Sequence, residues 1–301
     1  MLDLVIIGAG PAGMTAAIYA KRKGMSLQVV ADTVGGQVSK TGNVENYPGH
    51  DSIPGPRLAS LIKNQLDDLM VDIRLSRVLK LEPSGPNFRV TTSDGHVYDS
   101  RAVIIASGSR WKELNVPGEG EYQNKGVSYC ATCDGPLFAG MDVAVVGGGN
   151  AAGEAVLDLL HLASKIYLIV RSSIKADKII LDRIIKSGKV AVLTGYTVDR
   201  INGKDFVDSI DIVAKDGEHK TLMVSGVFVE IGFLPNVAFA RGLVKLNNAD
   251  EIIIDGHCST NVRGVFAAGD VTDVPQKQII VAAGEGAKAA MSAYTYITTL
   301  K

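Results

Sequence analysis

One local grammar occurs twice in this chain. A short apolar run leads into a glycine-rich turn, a stretch of small residues and a second apolar run. The first copy is Leu4–Ile7, Gly8-Ala9-Gly10-Pro11-Ala12-Gly13, Met14–Ala20 and Ser26–Val30, ending at Asp32. The second is Asp142–Val146, Gly147-Gly148-Gly149-Asn150-Ala151-Ala152, Gly153–Leu162 and Ile166–Val170. A continuous apolar run suits a strand buried on both faces. Strand, glycine turn, helix and strand together make a βαβ unit. The repeat predicts an α/β chain with two Rossmann-like dinucleotide-binding domains.

The spacing of the glycines carries the chemistry. Gly8 makes the tight turn, Gly10 lets backbone approach a pyrophosphate, and Gly13 lets helix pack on strand. The helix N-terminus then faces the phosphates. Asp32, at the end of the next strand, can hold both hydroxyls of an adenosine ribose. In the second copy Gly147, Gly149 and Ala152 take the three places, and Arg171 stands where the first copy has Asp32. A guanidinium there suits a ribose 2′-phosphate by charge and by bidentate geometry, with Ser172 and Lys175 beside it. These residues predict FAD in the first site and NADPH in the second.

A third signal is Cys130-Ala131-Thr132-Cys133-Asp134. This spacing brings two sulfurs within reach of a reversible disulfide and often lowers one thiol pKa. Zinc is the rival reading, but a structural zinc site needs about four ligands. Cys258 has only His257 beside it, and there is no second CxxC, so no metal is expected. Asp134 can exchange protons with a thiolate. Cys258 reads as a small buried hydrophobe.

Composition excludes other classes. Lys+Arg 31 against Asp+Glu 32 leaves a net charge of −1, which argues against nucleic-acid binding by charge. No run approaches the ~20 apolar residues of a membrane span. Three cysteines suit a cytoplasmic redox protein better than a secreted disulfide scaffold.

Elsewhere, Phe88–Thr92 and Val97–Tyr98 flank a Ser93–His96 turn and read as a hairpin. Val103–Ala106 reads as a buried strand, Val227–Glu230 closes the second unit, and Ile252–Ile254 followed by Gly264–Asp270 returns to a buried strand with a glycine-acid end. Val116–Gly120 reads as a linker, and Ala282–Thr298 as the last helix.

Taken together, these residues resemble the low-molecular-weight thioredoxin reductase family over nearly the whole chain. The matching pieces are Gly8–Gly13, Gly35-Gly36-Gln37, Glu45-Asn46-Tyr47-Pro48-Gly49, Cys130–Gly135, Gly147–Ala152, and Gly269-Asp270 followed by Lys277-Gln278. The resemblance implies a homodimer in which the second nucleotide domain is inserted into the first. The FAD domain would be 1–112 plus 241–301, and the NAD(P)H domain carrying the CxxC would be 113–240. Hinges would lie at Val116–Gly120 and near Arg241-Gly242.

By the same resemblance, Pro11, Ala12, Gly36, Gln37, Asn46, Ser107, Gly108, Gly269, Asp270, Lys277, Gln278 and Ile279 join the FAD site. The final helix would aim its N-terminus at the flavin. Asn150 and Ala151 belong to the nucleotide turn. Electrons would pass from NADPH through FAD to a Cys130–Cys133 disulfide. Cys133 would lie nearer the flavin, Cys130 would attack the disulfide of a thioredoxin- or glutaredoxin-like protein, and Asp134 would move the proton.

Val127-Ser128-Tyr129, Gly226–Gly232 and Gly284–Lys288 look closer to the flavoprotein of alkyl hydroperoxide reductase, which serves a peroxiredoxin system. That flavoprotein has an N-terminal thioredoxin-like region. Here the FAD motif opens the chain, so a separate partner is expected. The family's NADPH signature HRRxxxR is shortened here to Val170-Arg171-Ser172-Ser173-Ile174-Lys175. NADH, ferredoxin or F420 therefore stand as alternative donors, and a flavin-bound redox sensor as the non-enzymatic reading.

Overall fold

In the computed structural model, residues 1–299 are described, and they fall into two compact units. One is Met1–Arg110 together with the chain from Leu234 onward; the other is Trp111–Phe233. The chain thus leaves the first unit, builds the second and returns. The divisions lie a few residues before the expected 112/113 and 240/241.

In the first unit a parallel sheet orders Ile73–Leu75, Leu27–Val34, Leu2–Ala9 and Val97–Ile105. Besides Leu2–Ala9, Val97–Ile105 serves two further neighbours. Its first half pairs antiparallel with Asn87–Thr92, which continues to Val78–Ser84. Its second half pairs parallel with Val265–Ala267, Val103 against Val265. Leu4, Val5 and Ile6 are fully buried, as their unbroken apolar run requires.

Helix α1 is Pro11–Arg22, with proline in its first turn where a missing N–H costs nothing. Helix α2 is Gly55–Asp68. The last helix of this unit, Ile279–Thr299, crosses α1 closely. A Cβ on Gly286 would lie 2.0 Å from the Ala12 carbonyl oxygen, so only glycine permits the approach. The small residues of α1 therefore serve this crossing as well as the sheet.

In the second unit five parallel strands run in the order Val127–Ser128, Gly226–Val229, Asp142–Val146, Lys165–Val170 and Val190–Thr194. Its helices are α3, Ala131–Asp134, then α4, Asn150–Leu159, and α5, Lys178–Lys186; the C-terminal helix Ile279–Thr299 is α6. An antiparallel sheet of Tyr196–Gly203, Val207–Ala214 and His219–Met223 completes the unit.

Four expectations need correction. The returning strand is Val265–Ala267, without Ile252–Ile254, of which Ile252 makes only isolated bridges, to Leu246 and Thr272. Helix α4 begins at Asn150 and ends at Leu159, earlier than Gly153–Leu162. Val116–Gly120 is no free linker. Gly118 packs against the Ile201 carbonyl, and Glu119, 4% exposed, accepts from the Leu114 and Asn115 N–H groups and from the Tyr129 hydroxyl. Leu114 and Val116 also pack on a core of this unit, so the segment is held from several sides. The Arg241-Gly242 hinge is likewise tied within the first unit, through an Arg241–Asp250 ion pair.

Candidate active site

The two glycine turns stand at the carboxyl ends of parallel strands, where open α/β sheets bind ligands. Gly8 has φ +110°, and a Cβ there would lie 2.2 Å from the Ala106 carbonyl oxygen. Gly13 lies under the turn; a Cβ on it would meet the Gly8 carbonyl oxygen at 1.9 Å. Gly147 has φ +155°, and its absent Cβ leaves room for the Ala152 methyl. The N-caps of α1 and α4 are Gly10 and Gly149, neither with a side-chain cap, and neither first turn holds an acid. Both helices thus present open N–H groups and a positive dipole end, the arrangement an anion needs.

Around the first turn several expected residues converge. Asp32 takes the Arg77 Nε at 3.0 Å, an exposed pair. Gln37 donates to the Asp270 carboxylate at 3.3 Å, and its Oε1 is buried with no partner among the described residues. Burial pushes the Asp270 carboxyl up. A buried acceptor without a donor beside a buried carboxyl is the signature of a polar ligand with hydroxyl and N–H donors. Gly36 lies against Gly10.

Asn46 donates to Gln278 at 3.2 Å, directly before α6 begins at Ile279. Ser107 and Asn236 hold each other through backbone carbonyls, and Gly108, φ +64°, accepts from the Asn236 N–H. Lys277 is engaged with Glu251 at 2.9 Å and with the Thr272 carbonyl, so its ammonium group braces the loop. These residues fit a flavin dinucleotide.

Glu285 of α6 was not foreseen. It is buried, accepts the Gly269 N–H at 2.7 Å, and thereby anchors the Gly269-Asp270 loop. Burial pushes its carboxyl up. A glutamate amid the small apolar residues of α6 was the available signal. Cys258 is fully buried, and burial pushes its thiol up to about 11, as a packing cysteine should be. Among the described residues no group of three or more His, Cys, Asp or Glu could hold a metal.

Around the second turn, Asn150 is locked to Asp177 by two hydrogen bonds, and Ala151 is exposed. Arg171, Ser172 and Lys175 are exposed, and their side chains make no hydrogen bond or ion pair to the other described residues. The Lys175 N–H donates to the Gly148 carbonyl at 2.6 Å, which brings this segment against the glycine turn. A basic, uncommitted side chain here fits a phosphorylated nucleotide.

Cys130 and Cys133 are joined as a disulfide, Cα–Cα 5.3 Å. Cys130 is the N-cap of α3, and its Sγ accepts the Cys133 N–H at 3.2 Å. Asp134 accepts the Ser128 hydroxyl at 2.6 Å, while the Cys130 N–H donates to that same hydroxyl at 3.1 Å. Thr132 is tied to Asp158 of α4 at 2.8 Å. Tyr129, stacked on Trp111 at 5.1 Å, fixes the approach to Cys130 through Glu119. Glu230, also outside the expected set, lies beside α3; burial pushes its carboxyl up to about 7.

An oxidoreductase is what this combination defines, and residues 2–286 match the pyridine nucleotide-disulphide oxidoreductase family, to which the chain belongs. The fold is that of solved thioredoxin reductases. That from Streptococcus pyogenes is 38% identical over 100% of this chain and 99% of its own, at TM-score 0.95. That from Giardia duodenalis is 33% identical over 99% of each, at TM-score 0.94. Among curated relatives, the F component of Escherichia coli alkyl hydroperoxide reductase is 40% identical over 99% of this chain, and a Bacillus subtilis NADH dehydrogenase 41% over 98%. The chain spans 59% and 58% of those two relatives' lengths. Family membership implies flavin and pyridine nucleotide binding. No helix among the described residues is long and apolar enough to cross a membrane.

Proposed function

We propose that this protein is a disulfide reductase that takes electrons from NADPH and delivers them, through a bound flavin and Cys130–Cys133, to a thioredoxin-like protein. The observation that carries this reading is the Cys130–Cys133 disulfide, which stands at the carboxyl edge of the same five-stranded sheet as the Gly147 turn. Met1–Arg110 with the chain from Leu234 onward would hold FAD, and Trp111–Phe233 would hold the nucleotide.

Bound flavin supplies the exchange of two electrons between a nucleotide and a sulfur pair. The chain's own residues do the rest. Gly10, Gly13 and the N-terminus of α1 bind pyrophosphate; Asp32 orients a ribose; Gln37 and Asp270 engage hydroxyl or N–H donors. Asn46 and Gln278 set the start of α6, whose positive end favours negative charge nearby. Arg171 and Lys175 meet the 2′-phosphate. The Cys133 N–H steadies negative charge on Cys130, which attacks the partner's disulfide, and Asp134 gives and takes the proton.

The relatives named as alkyl hydroperoxide reductase and NADH dehydrogenase favour a second reading, with NADH as donor and a peroxiredoxin system as consumer. Anaerobic mixing with NADPH, NADH and reduced ferredoxin in turn decides between donors. Fast bleaching of the flavin by NADPH alone supports the first reading; a clear preference for NADH overturns it. A homodimer and a cytoplasmic location complete the reading, the former testable by sedimentation.

A further inference from the structure

Glu230 has no role in the scheme above, yet its place is specific. It directly follows the strand Gly226–Val229, which lies between the strand leading to Cys130 and the strand leading to Gly147. The registers pair Ser128 with Phe228 and Val146 with Val229. Continued past the strand ends, they set Glu230 level with Cys130 on one side and Gly147 on the other. The Glu230 N–H extends the ladder to the Val146 carbonyl at 2.8 Å.

The Ala131 N–H, between the two cysteines, faces the Glu230 carboxylate and favours the charged form. That N–H opens α3 and has no acceptor within the helix. The charges acting on Glu230 are Glu154 and Asp158 of α4, both acidic. Asp134 and the two cysteines are the titratable groups of the segment Cys130–Asp134 beside it. Burial, then these like charges, weaken its acidity.

We propose that Glu230 holds one of the two protons taken up when the Cys130–Cys133 bond is reduced, leaving one sulfur as thiolate. The inference rests on the reading that this pair opens and closes in turnover. The step balances with any dithiol as reductant. The dithiol closes to its own disulfide and releases two electrons and two protons. The electrons break the Cys130–Cys133 bond. One proton makes one sulfur a thiol. The other converts the Glu230 carboxylate to the neutral acid, and the second sulfur stays thiolate. Cys130 is placed to keep that charge, because its Sγ already faces the Cys133 N–H. New negative charge beside Ala131 raises the proton affinity of Glu230 further. Glu230 is thus a positioning residue for charge and proton, not a group that attacks or leaves.

The test follows the dithiol–disulfide equilibrium of the flavin-loaded full chain. The protein is equilibrated with reduced and oxidised dithiothreitol from about pH 5.5 to about pH 8.5. It is then quenched in acid, and alkylated Cys130 and Cys133 are counted by mass. In the unmodified protein the ratio of reduced to oxidised pair, at a fixed dithiothreitol ratio, grows about tenfold per pH unit below pH 7, where one of the two protons goes to solvent, and levels off above pH 7, where Glu230 starts ionised and takes that proton up. Glu230→Gln keeps a carbonyl acceptor and shows the about tenfold-per-unit growth throughout, with no levelling off.

A break that survives in Glu230→Gln overturns the proposal. Should that variant fail to retain flavin, Glu154→Gln with Asp158→Asn serves instead. Loss of the two acidic neighbours moves the break to lower pH, and an unmoved break overturns the proposal. The readout needs neither nucleotide nor partner protein, so a wrong donor leaves it intact. A pair that dithiothreitol never opens defeats both this inference and the reading beneath it.

Discussion

The two nucleotide turns solve one packing problem in opposite ways. In the first, the helix gives way: Gly13 carries no side chain, because a Cβ would lie 1.9 Å from the Gly8 carbonyl oxygen. In the second, the helix keeps its methyl at Ala152, and the bare Gly147, φ +155°, makes the space. The ends of the following strands differ as well. Asp32 is already matched to Arg77, whereas Arg171 stands exposed and uncommitted. The two copies thus share a backbone grammar and differ in side chains, and on the proposed function those side chains are what would select one dinucleotide over another.

The largest expected effect separates the two halves outright. Cys133→Ser abolishes reduction of a thioredoxin-like protein but leaves reduction of the flavin by NADPH intact; stopped-flow flavin absorbance and insulin-coupled turnover read the two steps. Retained turnover would end the scheme.

The next pair tests the turns against each other. Gly13→Ala costs about 2–4 kcal/mol by forcing a methyl into backbone. Ala152→Gly costs only about 1 kcal/mol, the helix penalty of glycine. Denaturant midpoints and flavin retention check this, and equal costs would break the contrast.

Arg171→Ala raises KM for NADPH about 10–100-fold, the worth of a lost charge-assisted contact. KM for NADH stays within a factor of about two or three, so specificity is tested at one residue. Equal losses with both nucleotides would show that Arg171 does not read the 2′-phosphate.

The smallest effect concerns stability. The Glu230 carboxyl is raised in the fold to about 7 from 4.5. Between those values the native state holds the proton and the unfolded state does not, so stability falls as pH rises through the window. Above it the ionised group opposes folding. Glu230→Gln accordingly stabilises the protein at pH 8 by about 1–3 kcal/mol and has little effect below pH 4.5. Thermal midpoints at the two pH values check the sign.

Much of this was legible because backbone constraints write themselves into residue type. Gly8, Gly13 and Gly147 are required by contacts with carbonyl oxygens, and Cys130–Cys133 by the reach of two sulfurs. Unbroken runs such as Val103–Ile105 announced strands buried on both faces. The antiparallel sheet Tyr196–Met223 escaped notice because its inward residues, Val198, Ile201, Ile210 and Ile212, are diluted by charged outward ones and by irregular register. Val116–Gly120 misled because proline and glycine signal a turn without saying whether the turn is tethered; Glu119 and Tyr129 meet only in three dimensions. Glu230 was invisible as a site residue for the same reason, and Glu285 showed only as a lone carboxylate among small apolar residues. Their roles come from which N–H each one meets, and no spacing along the chain encodes that.

The double passage between the units leaves each one nearly closed on itself. On one side of the crossings the Lys112 N–H meets the Gly232 carbonyl at 2.9 Å; on the other the Asn236 N–H meets the Gly108 carbonyl at 3.0 Å. Entry and exit of either body are therefore a single bond apart. A module with its ends so near together can be excised, transplanted or replaced through a seam only a few residues wide.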